Sequence, residues 1–145
     1  MRQLMGFAAL ALAACSEEPT QPPAAAPTVL AAAPPEVRMD LSQPLLARGN
    51  EPFWAVRIDG TKLTLQRPET PEKVFTAPGA QVTPGRASWT ATAADGETLA
   101  VTLYVSDCND GMSDLRYPMA AEVKVLDQTF SGCAAKVADL PRAGG

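Results

Sequence analysis

The chain has 145 residues, a formal net charge of −4 and no histidine. That length carries one domain, and the acidic balance disfavours a nucleic-acid partner, which demands a basic face. The absence of histidine excludes Ser-His-Asp and Cys-His catalysis and every His-ligated metal site.

The chain opens on "MRQLMGFAALALAAC". One positive charge, Arg2, precedes an uncharged apolar run over residues 4–14. The run is shorter than the roughly 20 residues a membrane-spanning helix needs, so residues 1–14 read as a signal peptide. Leu12, Ala13 and Ala14 before Cys15 resemble the lipobox of bacterial lipoproteins. The resemblance implies cleavage before Cys15 and lipidation of its thiol. With Ser16 rather than Asp after the cysteine, it further implies an outer-membrane lipoprotein facing the periplasm.

Residues 15–44 form the expected lipidated cysteine and tether. Half of the protein's 14 prolines fall here, at Pro19, Pro22, Pro23, Pro27, Pro34, Pro35 and Pro44, interleaved with Ala runs. Proline removes backbone donors and holds φ, so this segment favours extended polyproline II over a packed element. The end of the tether, "MDLSQPLLA", reads as a first edge strand.

Residues 45–138 read as an all-β domain, with 139–145 a flexible tail. Before the first clear strand stands a polar group, Arg48, Gly49, Asn50 and Glu51, closed by Pro52. "FWAVRI" then alternates, with Trp54, Val56 and Ile58 on one face. Asp59-Gly60 reads as a two-residue turn, which places Ile58 opposite Thr61 and Val56 opposite Leu63. Shorter strands are expected near Val74 and Val82.

The second hairpin turns at Asp95-Gly96. A three-residue loop, Ala94 to Gly96, with Gly96 in the left-handed region, sets Trp89 opposite Val101, Ala91 opposite Leu99 and Ala87 opposite Leu103. A two-residue loop would instead place threonines against the apolar residues, so burial selects the longer one. A third hairpin is expected from residues 119–126 and 129–134, across Asp127-Gln128. No segment has a helical period of useful length. Seven to eight short antiparallel strands make a small barrel or sandwich. Its core is expected to hold Trp54, Val56, Leu63, Leu65, Trp89, Val101, Leu103, Val123 and Phe130.

There are three cysteines. With Cys15 lipidated, Cys108 and Cys133 remain as a pair that an oxidising periplasm would bridge. The alternative is two free thiols or a soft-metal site. The bridge would stabilise the domain by roughly 3–4 kcal/mol in the chain-entropy model.

No phosphate-binding or dinucleotide-binding glycine pattern occurs, and nothing selects a catalytic carboxylate pair. The expectation is a protein that is not an enzyme, with no cofactor, no metal and no catalytic residue. The second polar stretch, "SDCNDGMSDLRYP", crowds Asp107, Asn109, Asp110, Ser113 and Asp114. Oxygen-rich loops suit calcium, but Gly111 falls one position too early for an EF-hand loop. The plainer reading is a loop whose Asp, Asn and Ser side chains bond their own backbone, with Arg116 able to pair with Asp110 or Asp114.

"ARGNEPFW", then "C-x-DGMSD-x-x-YP", then "GCA" together resemble a family of bacterial envelope lipoproteins related in architecture to membrane-bound lysozyme inhibitors. The resemblance spans about residues 47–134. It implies a periplasm-facing β domain and carries no established activity. The candidate binding residues are Arg48, Asn50, Glu51, Asp110, Ser113, Asp114, Arg116 and Tyr117. The expected function is binding of an envelope protein or small ligand. The alternatives are inhibition of C-type lysozyme and a purely structural spacer, in which Arg48 and Glu51 would be buried against each other or against Asp114.

Overall fold

The structure, a computed structural model, describes residues 38–142. The signal peptide, the lipidated Cys15 and the tether up to residue 37 lie outside the described residues, as do the last three residues of the tail. The described residues form nine antiparallel strands. They are β1 (Leu45–Asn50), β2 (Phe53–Asp59), β3 (Lys62–Arg67), β4 (Thr70–Thr76), β5 (Gln81–Thr83), β6 (Arg86–Ala93), β7 (Thr98–Asn109), β8 (Arg116–Val125) and β9 (Gln128–Lys136). A single turn of 3-10 helix, Val137–Asp139, follows.

Eight of the strands close a barrel. Each pairs with its neighbour in sequence, β9 returns to β1, and β4 meets β6 through Phe75↔Ala93 and Thr76↔Thr92. β5 is a short flap on the first residues of β6. Closure matters physically because it removes the open sheet edges through which strands aggregate.

Strict alternation builds the core. In β6 the buried positions are Ala87, Trp89, Ala91 and Ala93, every second residue. All nine core residues expected from the sequence lie in the barrel interior, together with Leu45, Ala47, Ile58, Phe75 and Met119. Small and large residues share the interior, so alanines make room for Trp54, Trp89 and Phe75. The ring centroids of Trp54 and Phe130 lie 6.4 Å apart in a tilted pair.

The second hairpin has the expected register, with Trp89 opposite Val101, Ala91 opposite Leu99 and Ala87 opposite Leu103. Gly96 takes φ +88° and donates its N–H to the Ala93 carbonyl. The other two hairpins are displaced. Asp59 pairs with Lys62, so the first turn is Gly60-Thr61 and Ile58 opposes Leu63. Gly60, at φ +59°, takes the first turn position, where a type II′ turn needs a left-handed residue. Val125 pairs with Gln128, so the third turn is Leu126-Asp127, with Leu126 at φ +53°. Each displacement shifts the register by two, which leaves every side chain on its expected face.

The first strand also differs from expectation. It begins at Leu45 and includes Arg48, Gly49 and Asn50, and it lies between β2 and β9 rather than at an edge. Residues 38–44 precede it as non-strand chain, from which Met39 and Leu41 pack against the barrel core. The Lys136 ammonium donates to the Asp40 carboxylate at 2.6 Å.

β7 is the longest strand and is bulged between Val105 and Cys108 opposite Met119 and Tyr117. An extra residue on one strand bends it and changes which face its side chains take. Beyond the bulge, the β7–β8 arm carries a second, smaller cluster. Tyr117, Cys133 and Ala135 are buried together there, flanked by Cys108, Leu115 and Leu140. Along β9, Phe130 and Ala134 face into the barrel while Cys133 and Ala135 face this outer cluster. A disulfide between Cys108 and Cys133, with Cα atoms 5.7 Å apart, fastens the arm to β9.

Candidate functional site

The two polar stretches meet. Arg48, Gly49, Asn50 and Glu51 line one side of a cleft of about 450 Å³, and residues 108–112 of the arm line the other. Ser131, Gly132 and Cys133 of β9 also line it. The Asn50 amide Nδ2 donates to the Asp110 carbonyl oxygen at 3.4 Å, a long bond across the cleft.

Close backbone approach shapes this region. A Cβ on Gly132 would collide with the Arg48 carbonyl and lie 2.9 Å from Trp54 Cζ2. One on Gly49 would collide with the Trp54 indole and lie 2.8 Å from the Ser131 carbonyl. Glycine at both positions lets β1 and β9 pass closely over the Trp54 ring. The "GNEPFW" string therefore pairs a space-demanding residue with the glycine that makes room for it. The peptide bond between Glu51 and Pro52 is cis.

The arm is held by its own side chains. Asp110 Oδ1 accepts from the N–H groups of Met112 and Ser113, at 3.1 and 2.9 Å, and from Ser113 Oγ at 3.0 Å. Ser113 Oγ also lies 3.1 Å from Asp110 Oδ2. These bonds, the Met112 N–H first and then Ser113, hold the Asp110 carboxyl below the usual carboxylate range against the opposing effect of burial. Asn109 Nδ2 donates to the carbonyls of Ser113 and Leu115 at 2.8 and 3.1 Å, and its Oδ1 accepts from Gly111 N–H at 2.8 Å. Asn109, Asp110 and Ser113 thus complete a local turn network.

Arg48 is different. It lies on the outer face of β1, and its guanidinium stands 5.7 Å from the centroid of the buried Tyr117 ring, within cation–π reach. Its Nε is buried without a hydrogen-bond partner, as is the Tyr117 hydroxyl. Among the described residues the Arg48 side chain makes no ion pair. The Arg48–Glu51 network expected of a spacer is absent, because Glu51 sits exposed in the β1–β2 turn while Arg48 lies on Tyr117.

The remaining sequence candidates fall elsewhere. Asp114 is exposed on the arm and does not line the cleft. Arg116 pairs with Asp107 at 3.4 Å rather than with Asp110 or Asp114. The reason is register: Arg116 stands opposite Asn109, near Asp107 on the paired strand, whereas Asp110 is turned into its own loop. Tyr117 supports Arg48 from beneath. Gly49, Asn109, Met112, Ser131 and Gly132 line the cleft but were not among the residues expected to bind. The "SGC" string was the one available signal for the last two. Among the described residues no three His, Cys, Asp or Glu side chains gather as a metal site.

No protein-family model, curated protein or solved structure matches the chain.

Proposed function

We propose that the protein is a non-enzymatic binding domain, carried on a lipid-anchored tether in the bacterial envelope, and that it engages its partner or ligand through the cleft between the β1–β2 turn and the β7–β8 arm. The observation that carries this reading is Arg48. A guanidinium set on an aromatic ring, on a residue that lines the cleft and has no ion-pair partner among the described residues, is a charged group open to an external partner. The cleft has the size of a small-molecule site, which runs from ~300 to ~1,000 Å³. The tether and Cys15 support the anchored placement through the sequence alone.

The self-bonded arm of Asn109, Asp110 and Ser113 favours a secondary reading for those three residues, as the frame of the cleft rather than its contacts.

Photocrosslinking tests the proposal. A crosslinking amino acid at Met112, which is exposed and lines the cleft, is compared in the anchored full chain with one at Val74, exposed on β4. A discrete adduct from Met112, missing from Val74 and lost with Arg48→Ala, is expected. Equal labelling at both positions, or none at Met112, overturns the reading.

A further inference from the structure

The charge inventory of the cleft narrows its ligand. Three charged residues line it: Arg48, Glu51 and Asp110. Asp110 is already used, since Met112 N–H, Ser113 N–H and Ser113 Oγ occupy its carboxylate. Arg48 and Glu51 remain, of opposite sign, on the wall of one cleft, and neither bonds to the other or to any described side chain.

Each class of ligand meets this arrangement differently. A phosphate or sulfate ester brings two negative charges or one to a wall that holds one cation and two carboxylates, so repulsion from Glu51 and Asp110 opposes it. A simple carboxylate satisfies Arg48 and leaves Glu51 facing an anion. A simple amine satisfies Glu51 and leaves the Arg48 guanidinium without an ion-pair partner. A molecule with a carboxylate and an ammonium group pairs with both and adds no net charge to the wall.

We infer that the cleft binds a zwitterion of the amino-acid or short-peptide class. The ligand carboxylate accepts hydrogen bonds from the Arg48 guanidinium, and its ammonium group donates to the Glu51 carboxylate. Asn50, Ser131 and Gly132 line the same cleft. This inference rests on the cleft being the binding site.

The test is a titration of the full-length chain in detergent micelles, followed by the NMR resonances of Arg48 Nε–H and the amides of Asn50, Gly111 and Gly132. The probes are alanyl-alanine, its N-acetyl derivative and its C-terminal amide. The expected result is a saturable shift with alanyl-alanine at millimolar concentration, and affinity at least about tenfold weaker for each blocked form. Arg48→Gln removes the preference for a free carboxylate, and Glu51→Gln removes the preference for a free amine. Because the blocked peptides probe the unaltered protein, the test survives a variant that folds poorly. Equal binding of the acetylated or the amidated form overturns the inference. No shift with any of the three also overturns it, and the Met112 crosslink then separates the two readings: a crosslink that persists keeps the cleft as a binding site for another ligand class, and its absence removes both.

Discussion

Two groups of charged side chains on this barrel make an instructive contrast. On one side, Lys73 of β4 reaches the β6–β7 turn, bonding Asp95 at 2.6 Å and Glu97 at 2.7 Å. Asp95 and then Glu97 raise the Lys73 pKa, while Lys73 lowers that of Asp95. On the other side, Arg48 and Glu51 line a cleft with no charged partner among the described residues. The first group spans the short seam where β4 and β6 close the barrel, and each of its charges has an ion-pair partner within the fold, although Glu97 Oε1 is buried without a hydrogen bond. The second is incomplete, although both its members lie within one turn and strand. Local density of charge therefore does not distinguish the two groups. Whether each charge finds its partner inside the molecule does.

The contrast can be broken most forcefully at the arm. Replacing both bridge cysteines, Cys108→Ser with Cys133→Ser, is expected to lower stability by about 3–4 kcal/mol. Thermal or denaturant unfolding checks the loss. Hydrogen exchange should show arm amides 109–116 opening first while the Lys73 group keeps its protection. A smaller loss, about 2–3 kcal/mol, is expected from Gly132→Ala, because the added methyl meets Arg48 backbone and the Trp54 ring, neither of which yields easily. Chemical denaturation measures it.

Acid sharpens the contrast differently. The folded Asp110 carboxyl titrates below its unfolded value, so its contribution is fully present above the ordinary aspartate pKa of ~3.9 and is lost as pH falls through the lower folded value. The Gly111, Met112 and Ser113 amide resonances should shift together in that window, and Asp110→Asn should abolish the transition. An unchanged profile in the variant would show that Asp110 does not govern the arm.

The smallest effects separate partnered from unpartnered groups. Tyr117→Phe removes a buried hydroxyl that has no partner and should be neutral or stabilising by up to ~1 kcal/mol. Lys73→Met should leave the ligand response unchanged and lower stability slightly, because its pair with Asp95 is largely exposed and its pair with Glu97 is part-buried. A clear loss of stability in Tyr117→Phe would mean that its hydroxyl is satisfied after all.

Much of the fold was legible because the side-chain period of a strand is two. At the second hairpin, a slip of one residue would have put Thr90 and Thr92 where Trp89 and Ala91 belong, so burial chose the register. At the first and third hairpins the competing registers differ by two. Both bury the same faces, so the pattern around Ile58 and Val125 held no information that separated them. The polar stretches were visible as unusual, but their roles were not. Asp110 and Ser113 were read as candidate binding residues, and they bond each other within the arm. Gly132 looked like a strand residue, and it is the close-approach point under the cleft.

Sequence alone determined that this chain forms an all-β domain, which residues fill its core, and that Cys108 and Cys133 are the available pair. Those features depend on local alternation and on residue type. Only the tertiary structure decided that eight strands close a ring, that the β7 bulge carries its hairpin arm to the outer face of β9, and that residues 48–51 and 108–112 share one cleft. These outcomes depend on where distant strands are brought by curvature and closure, and no local pattern encodes that Arg48 has no ion-pair partner among the described residues.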